Sequence, residues 1–344
     1  HGLRYGIVTF LQLFEKSLNE VPALKIIDAP QLSNRWVYKA TNLQVGNNIN
    51  ELKSIWKTSA DLKLNGMFLT DYKWGFIDEL IARYYDSLIS VRDYAKYERL
   101  KIVPGIFSFG YSNSILFNNP NWASGLPVNN QMFLVESDTS RLIPSFDVTL
   151  TNGGFEDYNE NNIPGYIYID DIGIKAFIDN DIKHSGNASL RFEDFKNPDR
   201  STDNARIVTS RIVKPFTLYH MSAWVKTESL SSGYITQMTA IGKNGRTLNY
   251  AYINVPSTTD WKKVDITFNS LDNDTINIYW GTWTALTGKI WWDDLVFEEI
   301  PFVNLLRRPG TPISVINKST GTEYNEFTDF DSLYDSRLGR LYGY

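Results

Sequence analysis

The sequence predicts a multi-domain chain, an α/β segment followed by an all-β sandwich. Three observations predict it. Between residues 35 and 128, apolar runs of strand type alternate with stretches of helical spacing. Between 149 and 300, short alternating runs are separated by turn clusters and helical periodicity is absent. The 344 residues exceed one ordinary domain, and a hydrophobic content of 42% supports real cores.

Residues 1–30 form an N-terminal segment in which Tyr5–Leu11 reads as a strand, with breaks at Val21-Pro22 and Ala29-Pro30. Arg35–Tyr38 reads as a short strand. Ile49, Leu52, Ile55, Trp56 and Ala60 then mark a helix over 47–63, with Asn47 or Asn48 as its N-cap. Asn65-Gly66 turns the chain into Met67–Thr70, an unbroken apolar run suited to a strand buried on both faces. Asp78 is placed to cap a second helix through Leu100, whose stripe is Leu80, Ile81, Tyr84, Leu88, Val91 and Ala95. Lys101–Phe107 is the third strand. This βαβαβ order implies parallel strands with covering helices.

A hairpin, Met132–Val135 with Arg141–Pro144, leads out of the α/β region. Strands of the sandwich are expected at 188–192, 205–208, 219–225, 263–268 and 276–280. A further short strand at Ile313–Ile316 lies in the polar C-terminal stretch. The expected division is therefore 1–30, 31–145, 146–300 and 301–344.

Composition narrows the function. Net charge is −5 with the two signs mixed along the chain, so no basic stripe points to nucleic acid or to an anionic membrane. No apolar run reaches the roughly 18 residues of a membrane span. Absence of cysteine excludes disulfides and thiol chemistry, and three scattered histidines do not make a histidine metal site. P-loop, dinucleotide, H-E-x-x-H and G-x-S-x-G motifs are absent. Aromatic content is 14%, with 10 Trp and 20 Tyr. Flat π faces pack against the C–H faces of sugar rings, although Trp and Tyr also fill sandwich cores.

Five landmarks carry a resemblance over about 150 residues: Thr151–Glu156, His184–Leu190, Ser222–Lys226, Trp261 and Trp291–Leu295. In that order they resemble the jelly-roll carbohydrate-binding modules attached to xylanases and cellulases, with Thr151–Glu156 as the opening strand. Less specifically, Asn65–Asp71 and Ile102–Phe107 resemble the second and third strands of a glycoside hydrolase (β/α) barrel. Asn42–Val45, Gly110–Asn113 and Leu305–Gly310 resemble uncharacterised bacterial proteins in which such a barrel is interrupted by a sugar-binding module. The resemblance implies a partial (β/α)-barrel segment followed by a jelly-roll β-sandwich. Three parallel strands cannot close a barrel of eight. In the family's arrangement the remaining strands would follow Tyr344 and act as a partner to this part.

The resemblance implies a carbohydrate-active protein, the N-terminal part of a glycoside hydrolase-like enzyme carrying a module that binds polysaccharide or oligosaccharide, and a secreted, periplasmic or cell-surface location. The alternatives are a non-catalytic glycan-binding or adhesion protein and a purely structural sandwich. At the strand ends of the α/β part, where barrel chemistry sits, Asp71, Lys73, Trp74, Tyr111 and Asn113 are substrate-binding candidates. Asp71 is the weak catalytic candidate, without the second carboxylate that glycoside hydrolysis needs. In the sandwich the sugar-contact candidates are Arg206, Gln237, Asn249, Tyr250, Tyr252, Trp280 and Trp283, while Trp224 and Trp292 are assigned to the core. Glu156 with Asp293 or Asp294 resembles the structural calcium site of these modules, an oxygen-donor set that would tie the domain's ends together. Period two puts Asp293 on the same side as Leu295 and Phe297.

Overall fold

A computed structural model describes residues 2–14, 23–106, 116, 118–160, 162–231, 235–253, 255–285 and 287–333. The chain divides into two compact units, residues 1–123 with 304–344, and residues 124–303. The hairpin expected with the α/β segment thus groups with the sandwich, and the C-terminal stretch groups with the α/β unit.

The α/β unit begins with α1 (Gly2–Gln12), where a strand was expected. No neighbouring strand accepts Tyr5–Leu11, and a helix satisfies its own backbone groups without one. Next come β1 (Trp36–Ala40), α2 (Gly46–Asp61), β2 (Gly66–Thr70), a 3-10 turn at Tyr72–Glu79, α3 (Ala82–Tyr97) and β3 (Lys101–Gly105). The strands are parallel in the order β1-β2-β3.

Two expected caps are displaced. Val45 is the N-cap of α2 and makes no side-chain cap bond, so neither Asn47 nor Asn48 serves. Ile81 is the N-cap of α3, because the 3-10 turn capped by Asp71 consumes Asp78. Ile81 is accordingly exposed, whereas Tyr84, Val91 and Ala95 are buried as the helical stripe requires.

Gly66 is required by a close approach, since a Cβ there would lie 2.7 Å from the Trp36 ring. The helices cover one face of the sheet, where Met67, Leu69, Leu52, Trp56, Tyr84 and Val91 form the core. The opposite face shows Trp36, Tyr38 and Phe68 to solvent at 37%, 58% and 37% exposure. The expectation that the second strand is buried on both faces therefore fails at Phe68. The expected C-terminal strand shrinks to a two-residue pairing of Val315–Ile316 with Glu323–Tyr324.

The second unit opens with the hairpin β4 (Met132–Glu136) and β5 (Thr139–Ile143). Ten strands follow: β6 (Tyr168–Ile169), β7 (Ala176–Asp179), β8 (Ser189–Phe192), β9 (Ala205–Ile212), β10 (Leu218–Glu228), β11 (Ile235–Ile241), β12 (Thr247–Tyr252), β13 (Thr259–Asn269), β14 (Thr275–Trp283) and β15 (Lys289–Glu299). They make two antiparallel five-stranded sheets, ordered β13-β10-β15-β8-β7 and β12-β11-β14-β9-β6. Alternate residues of both sheets meet in one core that includes Ile207, Tyr219, Met238, Ile278, Trp280, Trp292 and Phe297. Burying each such side chain contributes about 1.5–3 kcal/mol.

Three local features depart from simple alternation. Residues 151–156 are a turn rather than a strand, held by Asn152, whose amide donates to the Asp157 and Pro164 carbonyls and accepts from the Asp157 N–H. The Gly153 carbonyl accepts the Leu295 N–H at 2.9 Å, and a Cβ at Gly153 would sit 2.1 Å from the Leu295 carbonyl oxygen. In β15 an extra residue breaks the register between Ser222 and Trp224 of β10, with Asp294 at φ +46°. This bulge resets the alternation. Ile290 and Trp292 face the core before it, Leu295 and Phe297 after it, and Asp293 lies on the outer side opposite to that expected.

Candidate functional site

The outer face of the β12-β11-β14-β9-β6 sheet gathers five of the seven sugar-contact candidates of the sandwich. Strand register sets them in rows. One row runs Tyr252, Gln237, Gly281, Arg206. The next runs Tyr250, Thr239, Tyr279, Val208, Tyr168. With neighbouring strands about 4.8 Å apart, the first row spans about 14 Å. Tyr250, Tyr252 and Tyr168 are 52%, 67% and 38% exposed, and the Tyr250 and Tyr252 rings meet edge-on at 5.2 Å. Trp283 continues the same face two residues beyond Gly281 and is half-buried.

Gly281 gives this face its relief. It stands between Gln237 and Arg206 without a side chain, so the row has a notch at its centre. A Cβ at Gly281 would lie 2.9 Å from the Ala205 carbonyl oxygen and 3.0 Å from Arg206 Cγ. Arg206 is fixed beside the notch. Its Nε donates to Asp170 Oδ2 at 2.8 Å and its Nη2 to Asp170 Oδ1 at 3.1 Å, while the guanidinium lies 5.5 Å from the Tyr168 ring centre. The Asp170 hydrogen bonds raise the Arg206 pKa against burial, so the cation is permanent and already neutralised by its partner.

Two sandwich candidates do not belong to the face. Trp280 is fully buried in the core, on the side of Ile276 and Ile278. Asn249 spends its amide on the Thr267 carbonyl of β13 at 2.6 Å and on the Tyr250 N–H at 2.8 Å. Tyr168, Thr239 and Tyr279 were not singled out by the sequence. Period two from Trp283 reaches Tyr279, but only the strand register reveals Tyr168 and Thr239. Trp224, expected in the core, lies on the outside of the other sheet with His184 stacked on it at 3.8 Å.

In the α/β unit, Asp71 is 2% exposed and its oxygens are occupied. Oδ2 accepts the Leu43 N–H and the Tyr84 hydroxyl, both at 2.9 Å, and Oδ1 accepts the Lys73 N–H at 3.1 Å. Lys73 is 4% exposed, with Nζ 2.8 Å from Asn42 Oδ1 and 3.6 Å from Asp71 Oδ1. Trp74 packs against the core of this unit. These three side chains lock the strand end and present no open platform or free carboxylate. Burial and the Asp71 charge also push the Tyr84 hydroxyl far up, so it remains a donor. Tyr111 and Asn113 lie outside the described residues.

Glu156, Asp293 and Asp294 converge on one loop. Glu156 Oε1 accepts the Asn187 N–H at 2.8 Å. Asp293 Oδ2 accepts the His184 and Ser185 N–H groups at 2.7 and 3.2 Å. Asp294 meets His184 Nδ1 at 2.6 Å and the Ser185 hydroxyl at 2.7 Å. Burial pushes the Asp293 carboxyl up, the three N–H groups of His184, Ser185 and Asp294 pull it down, and the Asp294 charge adds to the rise. Asp293 is a buried acid with the Asp294 charge beside it and Glu156 on the same loop, and carboxylate oxygens are the donors that calcium takes. Among the described residues no group of three or more His, Cys, Asp or Glu side chains is arranged to hold a metal as it stands. Backbone carbonyls would have to complete the shell.

A family described as "Carbohydrate binding domain" matches residues 148–286, so a carbohydrate-binding domain is present in the sandwich. No curated protein matches the chain. Among solved structures, the chain is similar to the xylan-binding domain CBM22-1 of Paenibacillus barcinonensis Xyn10C, at 15% identity over 44% of this chain and 94% of that one, with a TM-score of 0.31. It is similar to TmCBM61, solved in complex with β-1,4-galactotriose, at 14% identity over 44% and 97%, with a TM-score of 0.34. The module CBM6cm-2 of Cellvibrio mixtus lichenase 5A, in complex with cellotriose, gives 10% identity over 40% and 99%, with a TM-score of 0.26. No helix among the described residues is long and apolar enough to cross a membrane.

Proposed function

We propose that residues 124–303 hold a polysaccharide chain across the outer face of the β12-β11-β14-β9-β6 sheet, and that the protein is carbohydrate-active and works where polysaccharide is found, outside the cytoplasm. The observation that carries this is the row Tyr252–Gln237–Gly281–Arg206, an exposed ring, an amide and a fixed guanidinium around a side-chain-free notch. Rings stack on sugar faces, while the amide and guanidinium hydrogen-bond to hydroxyls without the entropy cost of ordering a loose side chain. Calcium belongs to the same proposal as a structural ion at Glu156, Asp293 and Asp294, remote in role from sugar contact.

Binding of the intact protein to a panel of plant and bacterial polysaccharides, measured by calorimetry and repeated with Tyr252→Ala, tests the reading. Loss of about tenfold in affinity at an unchanged melting temperature is expected. Absence of binding to every glycan would favour a purely structural sandwich.

A second reading concerns the α/β unit. Parallel sheets are stable when both faces are covered, and here Trp36, Tyr38 and Phe68 stand open on one of them. We infer from this that the sheet is the front of a glycoside hydrolase-like barrel whose catalytic pair lies on strands beyond those described. A gene product that continues into further βα units with two strand-end carboxylates supports it. A chain that hydrolyses nothing and carries no such units is a glycan-binding or adhesion protein.

A further inference from the structure

The strongest charged feature outside the sandwich is a concavity of about 600 Å³ in the α/β unit, lined by Arg92, Lys96, Arg99 and Lys101 over a floor of Ala95, Leu100 and Ile102. Four cations and no carboxylate line it, in a chain whose net charge is −5. Arg92, Lys96 and Arg99 repeat at intervals of four and three along α3 and its end, so like charges share one helix face at a cost in stability. Of the acids in sequence between them, Asp93 pairs with Arg92 at 2.9 Å and so offsets one of the four cations, and Glu98 is held by Arg4 at 3.4 Å, which leaves Lys96, Arg99 and Lys101.

A second observation concerns Arg99 itself. It has φ +56°, in the left-handed region where the residue after a helix is usually glycine. Lys63 occupies the equivalent place after α2 at φ +60°, and there the cation is used: its Nζ reaches Asp28 at 2.5 Å and Thr9 at 2.6 Å. No side-chain partner of this kind holds Arg99 among the described residues, and its side chain is exposed. The left-handed residue closes the helix, with the Leu100 N–H on the Ala95 carbonyl and the Arg99 N–H on the Lys96 carbonyl, and this cap carries the Arg99 cation to the rim of the hollow.

We propose that this concavity binds the anionic groups of an acidic glycan: sulfate, phosphate or carboxylate on one or two sugar residues. Its cations take the anions and its apolar floor takes the C–H face of a ring. The small volume and the acidic remainder of the chain disfavour a long polyanion such as duplex nucleic acid. This proposal does not rest on the sandwich face, which carries only a neutralised guanidinium.

The test is calorimetry of the full chain with a sulfated heparin tetrasaccharide, an uncharged cellotetraose and a short DNA duplex. The tetrasaccharide is expected to bind and to weaken about tenfold between about 50 and 200 mM salt. Arg99→Gly relieves the left-handed strain, so it should raise the melting temperature while lowering that affinity about tenfold. Lys96→Ser should lower it similarly. The proposal falls if wild type does not bind the tetrasaccharide at low salt, if both variants bind it as wild type does, or if the duplex binds as tightly.

Discussion

Asp170 holds Arg206 at three points. Its carboxylate accepts the Arg206 backbone N–H at 2.9 Å, Nε at 2.8 Å and Nη2 at 3.1 Å. Two parallel N–H···O bonds fix a planar guanidinium in orientation as well as position. On the proposed binding face this leaves Nη1 to meet a sugar hydroxyl. Asp170→Asn should therefore weaken oligosaccharide binding about three- to tenfold and lower stability by about 1–3 kcal/mol, because Asp170 is buried and Arg206 loses its charged acceptor. Arg206→Lys should do the same, because an ammonium cannot be gripped at two points. Calorimetry paired with thermal melts checks both. An unchanged affinity in Asp170→Asn would remove the positioning role.

Gly281 makes a sharper steric prediction. A methyl group there meets backbone, the Ala205 carbonyl oxygen at 2.9 Å, as well as Arg206 Cα and Cγ at 3.0 Å. β9 must shift to admit it, which costs about 1–3 kcal/mol. The shift moves Arg206 and fills the notch. Gly281→Ala is thus expected to lower the melting temperature and to abolish detectable binding, whereas Tyr252→Ala, at an exposed ring, lowers affinity alone. Tight glycan binding by Gly281→Ala would place the ligand elsewhere.

How far the sequence reached can be traced through individual residues. Alternation in Ile276, Ile278 and Trp280 points Trp280 inward, against the expectation that it meets sugar, and the opposite parity carries Tyr279 to the outer face with Gly281 and Trp283. Tyr250 and Tyr252 share one face, as period two requires within an unbroken strand. Asp293 was misplaced because a bulge at Asp294 inserts one residue, and no local pattern announces it. Asp71 looked like a strand-end ligand. What saturates it, the Leu43 N–H and the Tyr84 hydroxyl, comes from segments 28 and 13 residues away. Such partners become visible only once three elements pack together. The matching of Gln237 with Gly281 and Arg206 is likewise a property of sheet order β12-β11-β14-β9, which strand patterns do not encode.

The Glu156–Asp293–Asp294 cluster predicts a response to calcium. Because the folded-state pKa of Asp293 is raised, the folded chain binds a proton there more readily than the unfolded chain. Its contribution to stability therefore declines as pH rises above the unfolded value of about 3.9. A bound cation opposes that decline. Calcium at millimolar levels is expected to raise the melting temperature at pH 7 by a few degrees, chelator to reverse it, and Glu156→Gln to blunt it. The effect should shrink as pH falls, because the raised Asp293 carboxyl takes a proton in competition with the cation. A melting curve indifferent to calcium and chelator at pH 7 would show that the loop's hydrogen bonds alone tie residues 153–156 to β15.

Asp179 predicts the opposite limb. Burial works against its ionisation, but hydrogen bonds from the Trp291 indole at 2.8 Å, the Ile182 N–H at 3.0 Å, Arg191 at 2.6 Å and the Asp181 N–H at 3.0 Å outweigh burial. They hold its pKa down at about 2. Since this lies below the unfolded value of about 3.9, the unfolded chain takes up its proton first. The stabilisation is fully present above about pH 4 and drains away as pH falls toward about 2. Two pKa units correspond to about 2–3 kcal/mol, which solvent on the partly open Arg191 side screens to about 1 kcal/mol. Asp179→Asn should lower stability at pH 7 by at least that amount, because Arg191 and the Trp291 N–H lose a charged acceptor. It should also flatten the dependence of unfolding free energy on pH between about 4 and 2. Urea melts of wild type and variant across that range measure both, and parallel acid limbs would assign the acid sensitivity to other carboxylates.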